Sequence, residues 1–255
     1  MRIGYFLLAV GALSLSAFFA HADDRDRPAA HALPMAQILA PDSGFSFAEN
    51  PDQVKKRLGA SWRVSEHAEF IVRRSQGKFV SEQRFLESLL ASADQAQTQR
   101  FYRFYFSSPV TGSRLYRVVH LMKRDVELGG LLPLAEWPNL VLARWGAPAL
   151  VGNWFWQGDI STTYYLDRRH NVLRDGATRC RGDALAFYDL AEKSASELDV
   201  LLRHLARSGC AYFLQITAKS LSNGVIEQVA SSVTDIGLAA EDARQRLMLG
   251  YSPRG

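Results

Sequence analysis

Residues 100–107 read Arg-Phe-Tyr-Arg-Phe-Tyr-Phe-Ser, and no other stretch of this chain limits its fold so sharply. Side chains alternate across a strand, so Tyr102, Phe104 and Phe106 share one face while Phe101, Arg103 and Tyr105 share the other. A strand this aromatic on both sides is either covered on both or exposes one as a recognition surface. Ser108-Pro109-Val110-Thr111-Gly112 turns the chain into residues 113–122, which predicts an antiparallel hairpin.

A second hairpin is predicted where residues 151–156 and 160–166 flank Gln157-Gly158-Asp159. Trp154 and Trp156 share one face of its first strand, with Phe155 opposite, and Tyr164 and Tyr165 lie on the returning strand. Further strands are expected over residues 62–72, near Asn171-Val172-Leu173 and over 210–216, and a helix over 82–96 from the stripe of Phe85, Leu89 and Leu90. Ser194-Ala195-Ser196-Glu197 is a capping box opening a helix whose apolar face is Leu198, Val200, Leu201, Leu202 and Leu205, ended by Gly209. Residues 239–249 form a charged amphipathic helix. The fold class is α+β: a mostly antiparallel sheet with flanking helices.

The N-terminus sets the compartment. Arg2 precedes an uncharged apolar run over residues 3–20, Ala20-His21-Ala22 suits signal peptidase, and Asp23-Asp24-Arg25-Asp26-Arg27 follows. Residues 1–22 therefore read as a signal peptide and the protein as periplasmic or secreted. If the run is kept, it reaches the lower edge of a bilayer span, which takes about 17–25 residues, and tethers the same domain to the membrane. Residues 23–47, carrying Pro28, Pro34 and Pro41, form a leader. In an oxidising compartment the only two cysteines, Cys180 and Cys210, are expected to be bonded. A net charge of +4, spread along the chain, is too mild for a nucleic-acid partner.

Asn50-Pro51 opens a short helix with a preferred N-cap and a proline that loses no hydrogen bond, and Gly59 closes it. The segment beginning Pro51-Asp52-Gln53-Val54 recurs 87 positions later as Pro138-Asn139-Leu140-Val141. Over ten residues Pro, Val, Arg, Gly and Ala coincide, which suggests an internal repeat. The units are then residues 48–130 and 131–250, the second carrying a disulfide-linked C-terminal extension.

A capped helix reading x-x-Val-x-x-Arg-Leu-Gly, leading into antiparallel strands, resembles the repeat of the barrel-assembly accessory lipoproteins of bacterial outer membranes. It is also similar to the secreted β-lactamase-inhibitor proteins, which carry two such units. The resemblance covers residues 51–60 and 138–147; the chain has no lipidated cysteine, and one disulfide does not reproduce the inhibitors' frameworks. It implies a non-enzymatic protein that binds another protein on a sheet face.

Catalytic signatures are missing. Ser75-Gln76-Gly77-Lys78 has the Ser-x-x-Lys spacing, but Gly77 marks a turn and no Lys-Thr-Gly follows. His67, His120, His170 and His204 do not cluster in sequence, and no cofactor or metal set is expected. The leading expectation is an exported binding protein using an aromatic sheet face built from Trp154, Trp156, Tyr164, Tyr165, Tyr102, Tyr105 and Arg103. Its partner is then another envelope protein or a cell-wall carbohydrate. The rival is an envelope hydrolase assembled from dispersed residues such as His120, His170 and Asp159. Export itself is directly measurable: mass spectrometry of the mature protein is expected to find Asp23 at the N-terminus, and a chain still starting at Met1 or Arg2 overturns cleavage.

Overall fold

The computed structural model describes residues 45–95, 97–154, 159–180, 190–220 and 224–253, so the signal and most of the leader lie outside the described residues. The elements in chain order are α1 (Pro51–Leu58), β1 (Arg63–Ser75), β2 (Lys78–Gln95), β3 (Thr98–Phe106), β4 (Leu115–Lys123), β5 (Leu132–Pro133), α2 (Trp137–Trp145), β6 (Leu150–Trp154), β7 (Asp159–Leu166), α3 (Ala195–Ser208), β8 (Tyr212–Ser220), β9 (Val225–Asp235), α4 (Ile236–Met248) and β10 (Tyr251–Pro253). Single helical turns fill several connections, among them Gly176–Arg179. No described helix is long and apolar enough to cross a membrane.

All strands join one ten-stranded antiparallel sheet in the order β10-β1-β2-β3-β4-β9-β8-β7-β6, with β5 beside β9. The α+β class expected from sequence is present. A short helix precedes four meandering strands twice, as α1 with β1–β4 and as α2 with β6–β9, α3 being inserted before β8. The two halves meet where β4 pairs β9, from Arg117↔Thr234 to Lys123↔Gln228.

Local chemistry sets the helix ends. Asn50 Oδ1 accepts from Gln53 N at 3.0 Å while Gln53 Oε1 accepts from Asn50 N at 2.8 Å, a full capping box. Gly59 and Gly146 end α1 and α2 at φ of 70° and 75°, which side chains bearing Cβ resist. The starts differ, because α2 begins one residue before Pro138 and Glu136 provides no side-chain cap. Ser194 and Glu197 cap α3 reciprocally, as expected.

Both leading helices lie on the same face of the sheet. Val54 and Leu58 of α1 pack with Leu89, Ala91, Phe104, Leu115 and Val118. Trp137 and Val141 of α2 pack with Tyr164, Leu214, Ile216, Val229 and Val233. One cross-strand row, Leu89–Phe104–Val118–Val233–Leu214–Tyr164, runs through both clusters without a break. On the opposite face α3 and α4 cover one end, where Tyr165 and Phe213 join Leu198, Leu201, Leu205, Ile236 and Ala240 around Cys180 and Cys210.

Residues 82–96 are not helical; they belong mostly to β2, paired on both edges with β1 and β3. A β-bulge explains why the pattern misleads. Between His67 and Ala68 the register slips, so Glu87 is an extra residue opposite β1. The insertion breaks the two-residue period, and a spacing of four from Phe85 to Leu89 mimics a helix stripe while placing the two on opposite faces. The segment near Val172 makes one bridge to Leu166 rather than a strand.

Cys180 and Cys210 are disulfide-bonded, as expected, and both are buried. The bridge ties the turn after β7 to the end of α3 across 30 residues of sequence. Reduction, or Cys180→Ser with Cys210→Ser, is expected to cost about 3–4 kcal/mol, because the unfolded chain regains the entropy of an open loop. Urea unfolding of oxidised and reduced protein checks this, and identical midpoints would refute it.

Candidate functional site

The pleat sorts the predicted aromatic residues into two classes. Tyr102, Tyr164 and Tyr165 are buried and build the core, so the expectation that they form a recognition face is corrected. Tyr102 faces α1; its ring centroid lies 5.6 Å from Phe104 and 4.5 Å from His120. Tyr164 faces α2, donates its hydroxyl to the Gly146 carbonyl at 3.1 Å, and has its phenol pushed up to about 12 by burial. Tyr165 points to the other face but is closed in by α3 and α4, its ring 5.6 Å from Phe213. A Cβ added at Gly176 would meet Tyr165 at 2.9 Å, so that turn rests directly on the ring. Trp156 lies outside the described residues. Trp154 pairs through its backbone with Asp159, and its side chain is likewise outside them.

Tyr105 and Arg103 lie on the outer face, away from α1 and α2. One row across this face reads His67–Ser88–Tyr105–Arg117–Thr234. The next reads Leu90–Arg103–Val119–Ser232, and the one beyond it Ser92–Phe101–Leu121–Ala230. Arg103 and Arg117 place their guanidinium carbons 4.8 Å and 5.4 Å from the Tyr105 centroid, both within cation–π range of one ring. Arg117 Nε donates to Ser232 Oγ at 3.0 Å, which fixes one arm of the cluster. Around it Leu90 is 43% exposed, and Phe101, Val119 and Leu121 are half-buried. Arg117, Leu90, Val119 and Leu121 were missed in the sequence; alternation of residues 117–122 between outer and inner faces is the signal that could have found them.

A second bulge, at Tyr116 in β4, lies beside the Glu87 bulge. Together they open a cavity of about 270 Å³ lined by Phe85, Glu87, Tyr116, Arg117, Asp242 and Arg246. Burial, with the nearby Glu87 charge, pushes the Tyr116 phenol up to about 12. Asp242 has a structural role: it accepts from Ser108 N, Ser108 Oγ and Thr111 Oγ1 and pairs with Arg246 at 3.2 Å. A shallower cleft at the strand ends, about 560 Å³, holds Tyr212 between Phe47 and His170, with Arg114, Arg168 and Asp235 beside it. Burial raises the Asp235 carboxyl, yet that group caps α4 by accepting from Leu238 N at 2.8 Å.

The residues of the rival hydrolase reading are not brought together. His120 is inside the sheet opposite Ser231, His170 stands in an exposed turn against Tyr212, and the Asp159 backbone lies opposite Lys219 where β7 meets β8. Ser75 and Lys78 are the paired ends of the β1–β2 hairpin, with Gln76 and Gly77 at φ of 51° and 77°, which is the expected turn. Among the described residues one group of metal-type donors converges: His67, Glu69 and Glu87. The chain matches no protein-family model, no curated protein and no solved structure.

His120 carries a measurable consequence. Burial, with a smaller contribution from Arg100, lowers its imidazole to about 4, and its Nε2 has no hydrogen-bond partner among the described residues. The unfolded chain binds this proton near pH 6.5 and the folded chain does not. Stability is therefore undiminished by His120 above pH 6.5 and is lost as pH falls from there to about 4, by up to about 3 kcal/mol. Urea midpoints across that window, compared between wild type and His120→Leu, are expected to show a shallower acid slope in the variant; parallel slopes would refute the assignment.

Proposed function

We propose that this is an exported binding protein whose partner is another protein docked on the outer sheet face around Tyr105. The observation that carries the reading is the Arg103–Tyr105–Arg117 cluster standing among the half-exposed apolar side chains of Leu90, Phe101, Val119 and Leu121. Arginine and tyrosine held rigid beside apolar area are the composition of interface hot spots, because little side-chain entropy remains to be lost on docking. Two guanidinium groups gathered at one ring favour a partner that presents a carboxylate next to an apolar side chain. Export is supported by the cleavage pattern of residues 1–22 and by a disulfide, the chemistry of an oxidising compartment.

A photo-crosslinking residue at Leu90 tests the reading against one at Phe79, which is 63% exposed at the hairpin tip of β1 and β2. Leu90 is expected to yield a discrete protein adduct in the envelope and Phe79 none. Arg103→Ala with Tyr105→Ser is expected to weaken capture of that partner by at least about 30-fold, a hot-spot loss, with an unchanged thermal melt. Equal adducts from both positions, or none from Leu90, would overturn the proposal.

A further inference from the structure

We propose that His67, Glu69 and Glu87 form a binding site for a divalent cation of the zinc type. One donor atom from each lies within 4.8 Å of the others. His67 Nε2 stands 3.6 Å from Glu69 Oε1 and 3.7 Å from Glu87 Oε2. A tetrahedral zinc ion with bonds of about 2.0–2.1 Å holds its ligands about 3.3–3.4 Å apart, so the two His67–carboxylate pairs stand within a few tenths of an ångström of that spacing, and the two carboxylates, within 4.8 Å of each other, close the rest by side-chain rotation.

The backbone builds this convergence. His67 and Glu69, two residues apart on β1, project to the outer face. Their register partners there are Ser88 and Phe85, neither a metal ligand. Glu87 would project inward from a regular strand, and the bulge turns it to the outer side, where it lines the same cavity as Phe85 and Arg117. The one irregularity in this strand pair thus supplies the third donor. Bulges of this kind re-aim single side chains beside functional sites.

Charge points the same way. Among the described residues neither Glu69 nor Glu87 is ion-paired to a lysine or arginine, whereas the nearby Glu66 is held by Lys55. Two carboxylates directed at one imidazole repel each other unless a cation lies between them. One imidazole nitrogen with two carboxylate oxygens suits zinc better than calcium or magnesium, which take all-oxygen sets. Three protein ligands leave the fourth position for water or for a donor from a bound molecule. The site does not depend on the docking proposed at Tyr105, since cation binding is measured without any partner.

Titration of the tag-free mature chain with Zn²⁺ alone, by calorimetry after chelator treatment, is expected to show one bound ion. Co²⁺ substituted for it is expected to give the visible absorption of a tetrahedral centre. Loss of outer-shell groups costs about 10–100-fold in affinity, so His67→Ala and Glu87→Gln, each removing a ligand, are expected to weaken Zn²⁺ binding by at least about tenfold. Glu66→Gln, which lies outside the group, is expected to bind as wild type. All three side chains are exposed or half-exposed on strands, so circular dichroism melts should be unaltered. Absence of Zn²⁺ binding by the wild type, or unchanged binding by His67→Ala and Glu87→Gln, would overturn the site.

Discussion

The pairing of β4 with β9 is the interaction on which the rest depends. It is antiparallel, and that orientation puts α1 and α2 on the same side of the sheet. Val118 meets Val233 and Met122 meets Val229 across the seam, so the two helix-covered clusters become continuous apolar surface. If the seam slipped by one residue, every side chain of one half would change faces relative to the other. The apolar inner rows would then meet the outer rows of Arg117, Ser232 and Gln228, and a polar mismatch on both faces resists such a slip.

Buried polar groups are handled in two contrasting ways. Asp242 on α4 is surrounded by donors from the turn after β3, and through them the C-terminal helix is fastened to the first half. His120, in the middle of the same sheet, has Tyr102 stacked on it and, among the described residues, no hydrogen-bond partner for its Nε2. The Asp242 carboxylate is tolerated in the interior because several donors surround it; the His120 imidazole is tolerated because burial keeps it neutral.

Features decided within a few residues were legible in the sequence. The Asn50 N-cap, the capping box at Ser194, the glycine stops, both aromatic hairpins and the Cys180–Cys210 bond follow from local chemistry or from the expected compartment. Features decided across strands were not. Tyr102 and Tyr105 are equally plausible contact residues until Val54 and Leu58 of α1 show which face is covered. Tyr165 is on the outer side yet buried, because α3 and α4 close that end alone. Glu87 could not be read in either role, since a single inserted residue both disguised β2 as a helix and brought the carboxylate beside His67.

The seam also orders events in time. Arg117 cannot find its partner until Thr234 is present, and β9 is nearly the last strand in the chain. A protein threaded across a membrane from its N-terminus would wait with β4 as an open edge, its backbone donors and acceptors unpaired, until almost the whole chain had emerged. Folding governed by so distant a contact is slow, and an unpaired edge recruits neighbouring chains while it waits. The exposure of β4 until β9 arrives is thus written into strand order and not into any surface motif.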